Sequence, residues 1–170
     1  IRLLKNKIRG FLIQFPPWFK FSEKHVEQLI SLLKEIPRNN QYFIELRDNS
    51  WFKPEILTQF VNSKIILNTT YKPNLEPFYL QNQKFYYIRL IGDRKLTKFN
   101  RIQREQKDSI MNLNDNIQKI RISPEIHEIF IIVNNHFAGY APESVIYLKQ
   151  NFGIPYLNFT TQKNLFDFLK

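Results

Sequence analysis

The sequence predicts an α/β fold built on a parallel β-sheet. Three observations predict it: short apolar segments recur along the chain, segments with helical apolar spacing separate them, and polar residues follow each apolar segment. Strands that are apolar throughout are typical of parallel sheets, in which both faces are buried. The pattern therefore indicates either a sheet covered by helices on both faces or a sheet closed into a barrel.

Five short segments fit the strand pattern, and each ends where the sequence turns polar or rigid. Pro16-Pro17 stops the first strand, because proline cannot continue a hydrogen-bonded ladder. Gly92-Asp93-Arg94 forms the exit of the fourth, and the apolar run of the fifth ends abruptly at Asn134. In chain order, the predicted strands span residues 11–15, 42–47, 64–68, 85–91 and 129–133.

Helix signals lie between most of these strands. Ser22 is a suitable N-cap, Pro54 and Pro142 suit the first turn of a helix, and Gly153 follows the last periodic segment. The predicted helices span about 22–36, 54–61, 102–120 and 142–152, with helical turns at 1–9 and 165–169. Residues 69–84 carry two prolines and no periodicity, so we expect a long loop there.

The composition indicates one cytoplasmic domain, residues 1–170, or a large piece of one. No apolar run approaches the roughly 20 residues that a membrane span needs, and cysteine is absent, so disulfides and thiolate metal sites are excluded. Because the chain starts at Ile1 instead of Met, we expect a fragment. Its net charge of +10 favours anionic partners, including nucleic acid.

Polar side chains gather at the predicted strand ends. Side chains alternate along a strand, so Glu45 and Arg47 point to the same side. Burying either unpaired would cost several kcal/mol, so we expect them to pair with each other, with Arg89 or with a ligand. The complete set of polar residues at the strand ends is Gln14, Glu45, Arg47, Asn68, Arg89, Asp93, Arg94, Asn134, Asn135 and His136.

At these strand ends the sequence resembles the YecE-like proteins, also known as domain of unknown function 72. The matching motifs occur in the order of the family, at similar separations, across almost the whole chain. They are Gln14-Phe15-Pro16-Pro17, Glu45-Leu46-Arg47 followed by Ser50-Trp51, Tyr87-Ile88-Arg89-Leu90 followed by Gly92, and Asn134-Asn135-His136 followed by Gly139-Tyr140-Ala141-Pro142.

The resemblance implies a (β/α)8 TIM barrel, of which this chain matches the C-terminal part, about strands four to eight with their helices. An N-terminal barrel segment or a partner chain is then needed to complete the fold. The family often carries Asp at the position of Asn68, so a catalytic role for that carboxylate would be lost here. The resemblance implies no particular reaction, because the role of the family is unsettled.

The leading functional hypothesis is a site at the mouth of the barrel that binds or acts on a small anionic, phosphate-bearing ligand. Arg47 and Arg89 would clamp the anion, since a guanidinium group matches the geometry of phosphate. Glu45 would act as general base or acid, with His136 as its partner. Further ligand-binding candidates are Gln14, Asp93, Arg94, Asn134 and Asn135.

Two other hypotheses stay open: a nucleic-acid-binding or nucleic-acid-processing protein, and an inactive truncated paralogue that pairs with another chain. The sequence has no P-loop, GxGxxG or GxSxG motif and no HExxH or paired-His spacing, so no cofactor and no metal are expected. A metal held by Glu45, Asp93 and His136 is the less favoured alternative. Trp18 and Trp51 are expected to anchor packing beneath the loops of the barrel.

Overall fold

The computed structural model describes residues 7–157. In this part of the chain, strands and helices alternate, as the spacing of apolar segments predicts. In chain order, the elements are β1 (Phe11–Gln14), α1 (Glu23–Glu35), β2 (Tyr42–Glu45), a 3-10 turn (Asn49–Trp51), α2 (Pro54–Leu57), β3 (Ile65–Tyr71), β4 (Phe85–Leu90), α3 (Lys107–Arg121), β5 (Glu128–Val133), α4 (Asn135–Ala138) and α5 (Ala141–Asn151).

The five strands form one parallel sheet in the order β1-β2-β3-β4-β5. Each strand therefore lies beside its neighbours in sequence, and all carboxyl ends meet at the same edge of the sheet. Gln14 stands beside Glu45 in the register, and Thr70 stands beside Arg89. The sheet is open, since β1 and β5 are not hydrogen-bonded to one another.

The helices of the described residues pack on one face of the sheet. Two apolar cores fill this helix-covered face, one beneath α1 and α2 and one beneath α3, α4 and α5. Their strand residues alternate as pleating requires and include Ile44, Leu46, Leu67, Ile88 and Leu90. Of the two predicted arrangements, a sheet covered by helices on both faces is therefore wrong for this part of the chain.

The opposite face, which we call the open face, is concave and carries an aromatic layer. The rings of Phe43 on β2 and Tyr87 on β4 stack with their centroids 4.5 Å apart, and Phe130 on β5 lies 6.0 Å from Phe43. On a flat sheet, strands three places apart are separated by about 14 Å. Because their side chains meet, the sheet must curve around this face.

Several element boundaries differ from the sequence prediction; α2, for example, ends at Leu57 instead of near residue 61. Strand β3 continues to Tyr71 instead of ending at Asn68, because the β-branched Thr69 and Thr70 and the aromatic Tyr71 all favour extended backbone. Helix α3 begins at Lys107 instead of near residue 102. The predicted turns at 165–169, and most of those at 1–9, lie outside the described residues.

The two tryptophans have opposite environments. Trp51 is fully buried, stacks on Phe19 at 5.4 Å between ring centroids and donates its indole N–H to the carbonyl oxygen of Phe19 at 2.6 Å. Its predicted packing role is confirmed. Trp18 is 72% exposed, so the same prediction is wrong for that residue. The turn after Pro16-Pro17 directs Phe19 into the core and leaves Trp18 at the surface.

Candidate functional site

A polar cluster occupies the open face at the carboxyl ends of β1 to β4. We define it as Gln14, Glu45, Arg47, Asn68 and Arg89. Arg47 Nε donates to Glu45 Oε1 at 2.6 Å, and Arg89 Nη1 donates to Glu45 Oε2 at 2.5 Å. Arg47 Nη2 also donates to Gln14 Oε1 at 2.7 Å. The expected pairing of Glu45 and Arg47 is confirmed, with Arg89 as a second partner.

The burial and charge of the cluster are unequal. The Glu45 side chain is 0% exposed, whereas those of Arg47 and Arg89 keep 13% and 20% of their surface accessible. One carboxylate faces two guanidinium groups, so the cluster carries a net charge of +1. A buried carboxylate needs opposite charge and hydrogen bonds, and this one has both. The excess positive charge lies toward the solvent.

Asn68 connects β3 to the cluster. Its Nδ2 donates to Glu45 Oε2 at 3.2 Å and to Thr70 Oγ1 at 2.7 Å, while its Oδ1 is buried with no hydrogen-bond partner in the described residues. Sequence reasoning missed Thr70, although its position two residues after Asn68 places it on the same side of an extended strand. The cluster therefore contains an unused buried acceptor.

Asp93 and Arg94 lie apart from the polar cluster, on the loop that follows β4. Asp93 Oδ1 accepts from the backbone N–H of Lys95 at 3.0 Å and from Arg104 Nη1 at 2.7 Å. Both contacts lower the pKa of Asp93 below its ordinary value, and the hydrogen bond from the Lys95 N–H contributes most. Arg94 is exposed. Both residues thus stay near the strand ends but make no contact with Glu45.

The residues after β5 are used mainly to build the start of α4 and α5. Asn134 Oδ1 accepts from the backbone N–H of His136 at 2.9 Å, and Asn135 Oδ1 accepts from the backbone N–H of Ala141 at 2.8 Å. The His136 ring lies edge-on to Phe99, and its Nδ1 is buried without a partner in the described residues. None of the three side chains is hydrogen-bonded to the polar cluster.

Two further findings concern metals and membranes. Within residues 7–157, no three His, Asp or Glu side chains lie close enough together to share a metal ion. In the same part of the chain, no helix combines the length and apolar character needed to cross a membrane.

The fold and the cluster define an α/β protein with a curved, open parallel sheet and a basic, carboxylate-centred cluster at its strand ends. The chain belongs to the family described as protein of unknown function DUF72, whose family model matches residues 1–165. No curated protein matches the chain.

Three solved structures of the same family resemble this one. Two are of a DUF72 family protein from Enterococcus faecalis V583, with TM-scores of 0.69 and 0.67, identities of 24% and 21%, and coverage of 91% and 96% of this chain. The third, from Thermotoga maritima MSB8, has a TM-score of 0.65 and 22% identity over 89% of this chain. The matches span 64%, 65% and 61% of those chains, respectively. At these identities they establish a shared fold.

Proposed function

We propose that the polar cluster binds the anionic group of a small, phosphate-bearing ligand. The observation that carries the proposal is the charge imbalance: two guanidinium groups share one buried carboxylate and remain partly open to solvent. An anion at this position would neutralise the remaining positive charge. It would also lie at the carboxyl ends of parallel strands, where α/β proteins commonly bind ligands.

The unused hydrogen-bonding groups fit a phosphate. A guanidinium has five N–H donors, and the internal contacts use Nε and Nη2 of Arg47 and Nη1 of Arg89. Nη1 of Arg47 and Nε and Nη2 of Arg89 are left to donate to an anion. A phosphate group offers acceptor oxygens for these donors.

Glu45 is best explained as a positioning residue. Its two oxygens hold Arg47, Arg89 and Asn68, and its side chain has no exposed surface from which to reach a substrate. We therefore propose that Glu45 fixes the two guanidinium groups in place. Its role as general base or acid, with His136 as partner, stays a prediction.

We further propose that the sheet is part of a TIM barrel, about strands four to eight. Side chains on the open face form three layers, as in the interior of such a barrel. Arg9 and Glu128 form an ion pair at the amino ends of β1 and β5, the aromatic layer lies above them, and the polar cluster lies at the carboxyl ends. An N-terminal segment or a partner chain would supply the remaining strands.

Inorganic phosphate is the probe that tests the anion site. With a dissociation constant of about 1 mM, 10 mM phosphate would stabilise the folded chain by about 1.4 kcal/mol and raise Tm by about 3–6 °C. Sodium chloride at the same ionic strength should leave Tm unchanged. Arg47→Gln and Arg89→Gln should each abolish the phosphate-dependent rise.

Arg121→Gln is the matched control, because Arg121 is an exposed arginine at the far end of α3. It should retain the full response to phosphate. An equal response in all three variants, or none in the unsubstituted chain, would refute the proposed site.

A further inference from the structure

The segment from Asp93 to Lys107, which includes the first residue of α3 and which we call the basic loop, concentrates much of the charge of the protein. It contains six basic and two acidic side chains, a net charge of +4 out of +10 for the whole chain. The loop connects β4 to α3 and therefore begins at the same edge of the sheet as the polar cluster. The charged residues of the loop do not include Arg47 or Arg89, so the loop is a second positively charged surface.

Both acidic residues of the loop are already paired. Asp93 pairs with Arg104 at 2.7 Å, and Glu105 pairs with Lys107 at 2.7 Å. The four remaining cations are exposed and have no carboxylate within 4 Å in the described part of the chain. These four are Arg94, Lys95, Lys98 and Arg101. The whole +4 charge of the loop is thus available to a partner.

The loop is held at several points: Asp93 Oδ1 accepts from the backbone N–H of Lys95 at 3.0 Å, the side chain of Gln103 donates to the carbonyl oxygen of Lys98 at 2.7 Å, and residues 101–104 contact the end of α4. The backbone N–H groups of Gln103 and Arg104 both donate to the carbonyl oxygen of Ala138, at 2.7 and 3.1 Å. A Cβ at Gly139 would lie 2.7 Å from the carbonyl oxygen of Arg101, so the loop approaches the turn as closely as glycine permits. Binding a partner would therefore cost little ordering of the backbone.

We propose that the basic loop binds the sugar-phosphate backbone of a nucleic acid. Residues 94–101 span at most about 25 Å, the axial rise of about seven nucleotides of one strand. Four free cations on four different residues of one loop suit a repeating anion better than a single phosphate group. Binding to an anionic membrane surface normally adds apolar insertion, and the exposed large apolar residues of the described chain all lie outside the loop.

The test compares two quadruple variants that remove the same charge. The loop variant carries Arg94→Gln, Lys95→Gln, Lys98→Gln and Arg101→Gln. The control variant carries Lys24→Gln, Lys34→Gln, Lys119→Gln and Arg121→Gln, all exposed positions on α1 and α3. Binding to a fluorescent 20-base-pair DNA duplex and to a 20-nucleotide single strand is measured between 50 and 200 mM salt. Circular dichroism checks that both variants fold.

Each neutralised phosphate contributes about 0.9 to the slope of log affinity against log salt for a duplex and about 0.7 for a single strand. Loss of four contacts should therefore reduce the magnitude of the slope by about 3.6 for the duplex and by about 2.8 for the single strand. A reduction of at least about 2 that is confined to the loop variant supports the proposal. A smaller reduction, an equal one in the control, or absent binding by the unsubstituted chain at 50 mM salt overturns it.

Vesicles rich in phosphatidylserine separate the two polyanion sources. Loss of vesicle binding in the loop variant, with nucleic-acid binding unchanged, would overturn the proposal in favour of a membrane partner. The phosphate-dependent rise in Tm should persist in the loop variant, because Arg47 and Arg89 are intact. Failure of the basic loop as a binding surface is thereby distinguished from failure of the anion site.

Discussion

Glu45→Gln is the most informative single substitution, because it removes charge from the centre of the polar cluster and almost no volume. The variant leaves Arg47 and Arg89 side by side without a counter-ion, so the cluster charge rises from +1 to +2. Removing one partner of a buried ion pair typically costs about 3–5 kcal/mol. The two arginines retain 13% and 20% exposure, which places the expected loss at the lower end, about 3 kcal/mol.

A loss of that size should lower Tm by about 6–12 °C for a chain of this length. Urea denaturation followed by circular dichroism measures it directly. Glu105→Gln is the matched control, because its ion pair with Lys107 is exposed on both sides and should leave stability unchanged within error. A second readout uses phosphate, which should raise the Tm of Glu45→Gln less than that of the unsubstituted chain, because Glu45 no longer fixes the two guanidinium groups in place. A loss below about 1 kcal/mol, or an unchanged phosphate response, would refute the reasoning.

Three further predictions concern the packing around the site. Gly92→Ala should cost at least about 3 kcal/mol in urea denaturation, because Gly92 has a φ of +71° and an added Cβ would overlap the backbone of His136. Trp51→Phe should cost about 2–3 kcal/mol by losing a buried hydrogen bond and leaving a void, whereas Trp18→Phe should leave stability unchanged and the remaining tryptophan emission blue-shifted. Burial raises the pKa of Tyr71 to about 12. Unfolded tyrosine ionises near 10, so stability should fall as pH rises from about 10 toward 12, and Tyr71→Phe should remove that part of the dependence.

The strand pattern could be predicted from sequence because apolar runs and their terminators are local signals. The predicted starts at residues 11, 42 and 85 match those of β1, β2 and β4. The predicted end of β3 was wrong, because Asn68 resembles a strand terminus when its hydrogen-bond partner is unknown. In the structure that amide points at the carboxylate of Glu45, and the strand continues through three β-favouring residues. Asn68 is therefore accommodated inside the strand by a contact with a neighbouring strand, which the local sequence does not reveal.

The pairing within the polar cluster could also be predicted, because a buried Glu and a neighbouring Arg on one side of a strand leave few alternatives. The side-chain contacts of Asp93, Asn134 and Asn135 could not be predicted from the sequence. Their oxygens accept hydrogen bonds from nearby backbone N–H groups, a use that short polar side chains share with turns and helix starts. Composition does not distinguish such a capping oxygen from one directed at a ligand.

The concave side of the sheet is filled by three rings, with Tyr87 stacked on Phe43 and Phe130 edge-on to Phe43. The ion pair between Arg9 and Glu128 is largely solvated and therefore contributes little to that shape. The guanidinium groups of Arg47 and Arg89 lie one layer higher and keep N–H donors that no internal acceptor uses. In the proposed site, an incoming oxyanion would meet donors that Glu45 already holds in place, so capture and release would require no movement of the strands beneath.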